Sequence, residues 1–407
     1  MTVELVLDRL EGATALAVVE NDLLVDVWTQ GQGGGPDAVE DRLFLARVIG
    51  IEPAIDGAFL DHGARRPGFL AGKDARHRQG LAKGASIGRS AEVGEWLLAQ
   101  GMRAAEGDKG ARLTTDIRLA AAGLVYRPHG TGVQLGRGIV ARDREALAER
   151  GARLLERAGA PGGLVLRRLA LELDDTALGA DLARLAGLWA KLARLALAPE
   201  RRAGPLDAGP SPLARLLWRA LDLSPVSLTV ADDALKAEVQ RLVEALPEAA
   251  RPALEALESG RRAFAVTGVD EAIAEALAGE VALDGGGRLL IEETAACVAI
   301  DVDGGGRPAL DVNLVAAAEI GRLARLRNLG GTLIVDFVDL ASKGQRQRLD
   351  DAVRRSFRAD PLPVQTFPMS PLGIVQISRA RRGASPLAAA SRACPTCGGS
   401  GRPAVRA

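Results

Sequence analysis

Two apolar runs in this sequence stop on aspartates. ACVAIDVD ends in Asp301 and Asp303, and TLIVDFVD delivers Asp336 and Asp339 one helix later. Runs of this kind mark buried strands, and in an open α/β sheet ligands collect at the carboxyl ends of strands. Carboxylates brought there by two neighbouring strands could converge on one hard cation. Magnesium takes one or two carboxylates and leaves its other positions to water and phosphate oxygens. Three glycines, 304–306, follow Asp303 and would let a bulky phosphodiester approach the backbone. The competing reading is that Asp301 and Asp336 close turns at strand ends. The residues alone leave both open.

Near the C-terminus, CPTCGGSG sets Cys394 and Cys397 at C-x-x-C spacing. Tetrahedral zinc needs two such pairs, and the third cysteine, Cys297, lies in an apolar run and reads as a small core residue. Two readings remain: a redox dithiol, or a zinc ion shared by one pair from each of two chains. The Pro and Gly residues shape a tight turn, and the strand-to-helix context of a redox motif is lacking. Shared zinc is therefore favoured, and it requires at least a dimer. His62, His77 and His129 are scattered, which argues against a histidine triad or metal cage.

Behind these groups stands a chain of 407 residues, 47% hydrophobic and 26% charged, long enough for roughly two to four compact units. No run reaches the apolar length a membrane helix needs, and the N-terminus lacks a secretion signal. The expected location is the cytoplasm. Lys+Arg and Asp+Glu balance at 52 each, so no global field steers the molecule toward nucleic acid. Residues 1–30 alternate as strands, and GQGGGPD (31–37) is a flexible break. The stretch from Phe44 to Gly72 has the strand-and-turn rhythm of a small β-barrel. A helix is predicted at 142–159, a strand at 162–173, a helix at 176–198 and a linker at 199–212. Helices dominate 213–281. The last 130 residues or so read as a mixed α/β unit: two strands in GRLLIEETAACVAIDV, a helix at 313–328 with Asn313 as N-cap, a strand at 330–340, a helix at 344–358 and two closing strands.

In this order the segments resemble the ribonuclease E/G endoribonucleases. The likeness is strongest over 288–402. There, LLIEETAACVAIDVDGG matches the strand with the family's first metal-binding aspartate, AAAEIGRLARLRNLGGTLIVDFVDL the stretch ending in its second, and CPTCGGSG its intersubunit zinc link. RVIGIEPAIDGAFLDHGARRPGFL resembles the family's S1-type RNA-binding barrel, GDKGARLTTDI that barrel's closing segment, and GGLVLRRLA its 5′-sensor strand. The resemblance implies an RNase H-like subdomain split between 1–35 and 205–275, an inserted S1-type (OB) β-barrel at 36–122 in truncated form, and a 5′-sensor subdomain at 123–204. A DNase I-like α/β catalytic subdomain at 276–388 and a zinc-link segment at 389–407 would follow.

By the same resemblance Asp301 and Asp336 would bind the catalytic Mg²⁺, with Asp303 as a third or supporting carboxylate. Cys394 and Cys397 would hold Zn²⁺ between chains of a homodimer or homotetramer. Phe59 and Phe69 would stack on RNA bases, although the pair alone reads as ordinary barrel packing, and Lys109 would lie nearby. Arg167 and Arg168 would take a 5′-phosphate. The implied activity is Mg²⁺-dependent hydrolysis of single-stranded RNA, in rRNA and tRNA processing and mRNA decay, leaving 5′-phosphate and 3′-hydroxyl ends. The alternative is a non-catalytic RNA-binding relative. Four departures from the family pattern stand out. Asp303 replaces an Asn, and an acidic, Thr-containing loop is missing before Asn313. Arg168 replaces a Thr, and DRLFLARV replaces the barrel's Tyr-Lys-Gly opening. Altered RNA affinity is the expected consequence.

Overall fold

The computed structural model describes residues 2–10, 12–29, 39–78, 80, 85–105, 110–136, 138–294, 296–380 and 394–396. Lys109, Cys397, the whole predicted break at 31–37 and nearly all of the zinc-link segment lie outside them. The chain forms two compact units. One comprises Ala17–Trp28 with Arg261 onward, the other Thr2–Leu16 with Thr29–Gly260.

The larger unit contains the barrel. Leu43–Glu52, Gly57–Asp61, Gly68–Ala71, Arg112–Thr114 and Trp96–Arg103 pair in that order, and Trp96–Arg103 pairs back onto Leu43–Glu52 to close five strands into a ring. Bulges at Val48/Gly50 and Gly101/Arg103 bend the two longest strands where the ring must curve. Its interior is a continuous apolar core that includes Phe44, Val48, Leu60, Leu70, Ile87 and Leu113. The ring of five strands is complete. The predicted linker is corrected. Within it, Gly204–Leu206 pairs antiparallel with Leu43–Leu45 and widens the barrel sheet.

Beside the barrel in sequence, a four-stranded sheet runs in the order Gly132–Leu135, Gly163–Leu166, Leu124–Arg127, Leu119–Ala120. The amphipathic helices Ala141–Ala158 and Asp175–Leu197 share a core with it through Leu147, Leu154, Leu178, Leu182 and Leu185. The strand predicted to reach 173 stops at Leu166, and Arg168–Leu171 forms a 3₁₀ turn. The helix-dominated stretch also hides two short strands. Ser227–Val230 pairs parallel with Val3–Leu10 on one side and with Ala253–Ala256 on the other. Helices Pro212–Leu221 and Asp233–Glu244 precede and follow it. Strands of four residues between long amphipathic helices leave too short a period-two pattern to read.

The second unit is built on a six-stranded sheet ordered Glu280–Ala282, Arg288–Glu293, Val298–Asp303, Gly331–Asp336, Ile374–Arg379, Val364–Thr366. Only the central pair, Val298–Asp303 with Gly331–Asp336, is parallel. A parallel pair cannot be joined by a hairpin, and the helix Ala309–Leu326 makes the crossover. Helix Lys343–Ser356 is fixed at its start by a Ser342/Gln345 capping box. Cys297 is half-buried in the turn before Val298, its Sγ 3.7 Å from Thr294 Oγ1, and not in the core as its apolar neighbours suggested.

One buried ion pair ties this unit together. Arg379 donates to both oxygens of Asp360 at 2.7 and 3.2 Å and to the Leu329 carbonyl at 2.7 Å, with both side chains at most 2% exposed. Removing one member of such a pair strands the other charge away from water. Asp360→Ala should therefore lower unfolding stability by about 3–5 kcal/mol in urea denaturation. A loss under 1 kcal/mol, roughly that of a surface pair, would show the pair to be dispensable.

Candidate active site

Alternation along Val298–Asp303 turns Val298, Ile300 and Val302 into the core and leaves Asp301 exposed on the opposite face. The same alternation on Gly331–Asp336 buries Leu333 and Val335 and exposes Asp336. In the register of this parallel pair Asp301 stands directly opposite Asp336. Neighbouring strands lie about 4.8 Å apart, so the two carboxylates share one face of the sheet, near the carboxyl end of each strand. Among the described residues neither carboxylate accepts a hydrogen bond or forms an ion pair. No set of three or more His, Cys, Asp or Glu side chains among the described residues could cage a metal. A cation here would rest on two carboxylates and on oxygens from water and substrate, which is the chemistry of Mg²⁺.

Asp303, one step along the same face, has a different fate. Arg288 donates to its Oδ2 from Nε at 3.0 Å, with Nη2 2.9 Å from the same oxygen as an ion pair, and the Gly305 N–H donates to Oδ1 at 3.1 Å. The Gly305 amide first, and then the Arg288 guanidinium, hold the Asp303 carboxyl below the usual range. Its charge is answered by protein. The glycines after it also serve packing. A Cβ on Gly305, at φ +55°, would sit 2.9 Å from the Gly287 nitrogen, so the loops 284–287 and 304–306 nest as only glycines allow. Arg307 locks this nest by donating Nη1 to the carbonyls of Asp284 and Gly286.

Asn313 is not an N-cap. The crossover helix begins earlier, capped at Pro308, and Asn313 lies inside it, fully buried. Its Nδ2 donates to the Val338 carbonyl at 2.7 Å and its Oδ1 accepts from the Val338 N–H at 3.1 Å. One amide thus grips both polar groups of a single residue, two positions beyond Asp336, and fixes the loop into which that aspartate leads. The strand predicted over 330–340 ends at Asp336, and Asp339 belongs to this loop. The role of Asn313 escaped the sequence because an Asn near a helix start reads first as a cap.

In the barrel, Phe59 and Phe69 are register partners on adjacent strands, edge to face with ring centroids 5.9 Å apart. Phe59 is 39% exposed and Phe69 half-buried. A Cβ on Gly57 would lie 2.2 Å from Phe69, so the absent side chain makes room for that ring. Arg167 and Arg168 are turned to protein partners. Arg167 donates Nε and Nη2 to Asp222 at 3.0 and 2.7 Å, and Nη2 also to the Trp218 carbonyl. Arg168 pairs with Glu172 at 3.7 Å. Cys394 is exposed.

A model of the Ribonuclease E/G family matches residues 118–382. The chain belongs to that family. Ribonuclease G of Salmonella typhimurium (strain SL1344) is 28% identical over 421 residues, an alignment covering 98% of this chain and 84% of that protein. Ribonuclease E of Synechocystis sp. is 31% identical over 381 residues, with 88% of this chain and 55% of that protein covered. Ribonuclease E of Escherichia coli K12 is 28% identical over 417 residues, covering 95% and 37%. The ribonuclease E/G match takes in the whole parallel pair, the crossover helix and both exposed aspartates.

Positioning by Asn313 has a measurable consequence in this ribonuclease E/G chain. Asn313→Ala removes two hydrogen bonds and leaves the Val338 backbone unanswered, which should cost about 1–3 kcal/mol in urea denaturation. Unchanged stability would show that the loop holds its place without the clamp.

Proposed function

We propose that this chain is a Mg²⁺-dependent endoribonuclease that hydrolyses phosphodiester bonds in single-stranded RNA, leaving 5′-phosphate and 3′-hydroxyl ends. The observation that carries the reading is the register pairing of Asp301 with Asp336 as two exposed carboxylates that no protein group neutralises. When bound, Mg²⁺ supplies activation of water and neutralisation of charge on the phosphoryl oxygens. The chain's own contribution is position. Core packing of Val298, Ile300, Val302, Leu333 and Val335 holds the two strands, Asn313 holds the loop after Asp336, and Arg288 keeps Asp303 aside. In this reading a single strand of RNA would lie along the sheet face that carries the two exposed aspartates. Phe59 and Phe69 offer a stacking platform, and stacking on aromatics is tolerant of base identity. With Arg167 committed to Asp222, a 5′-phosphate would have to displace or share that guanidinium. Cleavage is therefore the primary activity, and 5′-end recognition is secondary to it.

The Cys394/Cys397 pair fits the zinc-link reading, in which two chains each give two thiolates to one ion. The subdomain plan belongs to the same proposal. It sets an S1-type barrel and a 5′-sensor unit before a DNase I-like catalytic unit, with an RNase H-like subdomain assembled from the N-terminal strands and residues 205–275. No helix among the described residues is long and apolar enough to cross a membrane.

An A/U-rich single-stranded RNA incubated with Mg²⁺ should be cut internally by the wild-type chain and left intact with chelator. Asp301→Asn and Asp336→Asn should each bind that RNA and fail to cut it. Mutants that cut like wild type would overturn the site, whereas wild type that binds without cutting would favour the non-catalytic relative. For the link, metal analysis should find about half a zinc per chain, as two cysteines from each of two chains require. Cys394→Ser should lose the metal and run as a smaller species. A zinc-free oligomer unchanged by the substitution would refute the link.

A further inference from the structure

The unit formed by Thr2–Leu16 and Thr29–Gly260 carries an open cavity of about 530 Å³ with no role in the chemistry above. Its walls come from the first hairpin, the entry to the barrel and the N-terminal end of helix Pro212–Leu221. That volume lies inside the roughly 300–1,000 Å³ of small-molecule sites.

The lining is polar in an unusual way. Arg42 and Arg215 are half-buried, and among the described residues neither forms an ion pair. Arg215 gives one donor, Nη1, to the Pro210 carbonyl at 2.8 Å. Burial pulls its pKa down and Asp41 acts against that, yet a guanidinium stays charged in any protein. Asp41 offsets part of the Arg215 charge without pairing with it, and a half-buried guanidinium with donors to spare is stabilised further by an anion. Thr14 supplies a second, independent sign. It is only 6% exposed, it lines the cavity, and its hydroxyl has no hydrogen-bond partner among the described residues. A hydroxyl open to the cavity and unused by protein is free to meet a ligand.

The carboxylates narrow the ligand. Asp41 and Asp207 are exposed on the same lining, and among the described residues neither carboxylate accepts a hydrogen bond or forms an ion pair. Inorganic phosphate would be repelled by them, while a ligand with an anionic end and a donor-rich end would use both kinds of wall. We propose that this cavity binds a nucleoside monophosphate. Its phosphate sits on Arg42, Arg215 and the Thr14 hydroxyl, at the positive end of helix Pro212–Leu221, and its ribose hydroxyls or base amines donate to Asp41 and Asp207. The inference is independent of the nuclease reading, because it concerns neither Asp301 nor Asp336.

Calorimetric titration of the full chain with adenosine 5′-monophosphate, in chelator so that no metal occupies the aspartate pair, tests it. The nucleotide should bind one site per chain, and inorganic phosphate and adenosine should each bind about tenfold or more weakly. Thr14→Val and Arg42→Ser should each weaken nucleotide binding by about tenfold with the circular dichroism unchanged. Asp301→Asn should bind as wild type does. No heat from the nucleotide, phosphate binding as tightly as the nucleotide, or loss of binding in Asp301→Asn would overturn the proposal. Should Arg42→Ser misfold, Thr14→Val decides, since it exchanges a hydroxyl for a methyl of the same size. Wild-type affinity in that variant would also overturn it.

Discussion

The pairing of Val298–Asp303 with Gly331–Asp336 is the constraint from which the candidate site follows. Because the two strands run parallel, a crossover must join them, and the helix Ala309–Leu326 is that crossover. Because side chains alternate, the buried residues of both strands dictate which face Asp301 and Asp336 occupy. A slip of one residue would turn an aspartate inward and expose a valine or isoleucine, so core packing enforces the register that the chemistry needs. The crossover then does a second job. Its buried Asn313 returns to the loop beyond Asp336 and holds it by one backbone unit.

Three aspartates of the same strand-end neighbourhood have separate fates decided by their neighbours. Asp301 and Asp336 face each other with no cationic side chain among the described residues to answer them, and adjacent carboxylates repel unless a cation intervenes. Asp303 is two residues from Asp301 and equally close to the strand end, but Arg288 reaches across from the antiparallel neighbour and neutralises it. The Asp303 carboxylate is thus matched by the Arg288 guanidinium, and its charge is absorbed locally.

The arginines divide along the same line. Arg167, at the end of its strand, is a fastener between that strand and the C-terminal end of helix Pro212–Leu221, through Asp222 and the Trp218 carbonyl. Arg42 and Arg215 line a cavity; Arg215 gives one donor to the Pro210 carbonyl, and among the described residues neither forms an ion pair. A guanidinium whose donors are used by protein contributes to architecture, whereas a half-buried one with donors to spare keeps them open to other partners. Residue type does not distinguish these roles; the occupancy of the donors does.

Much of the site was legible in the sequence. Apolar runs ending in aspartate, set one helix apart, specify two buried strands of one sheet with carboxylates at their ends, because hydrophobic patterning and strand length are local properties. The barrel's strand-and-turn rhythm was legible for the same reason. The added strand Gly204–Leu206 was not, since its pairing with Leu43–Leu45 joins distant segments. The short parallel strands Ser227–Val230 and Ala253–Ala256 were hidden because four residues carry too little pattern. By itself the sequence determined that two apolar strands end in aspartates, Asp301 and Asp336 among them. Only the tertiary structure decided that Asp301 and Asp336 stand opposite each other while Asp303 is paired away and Asn313 is a clamp, because register and ion-pair partners depend on chain segments that meet only after folding.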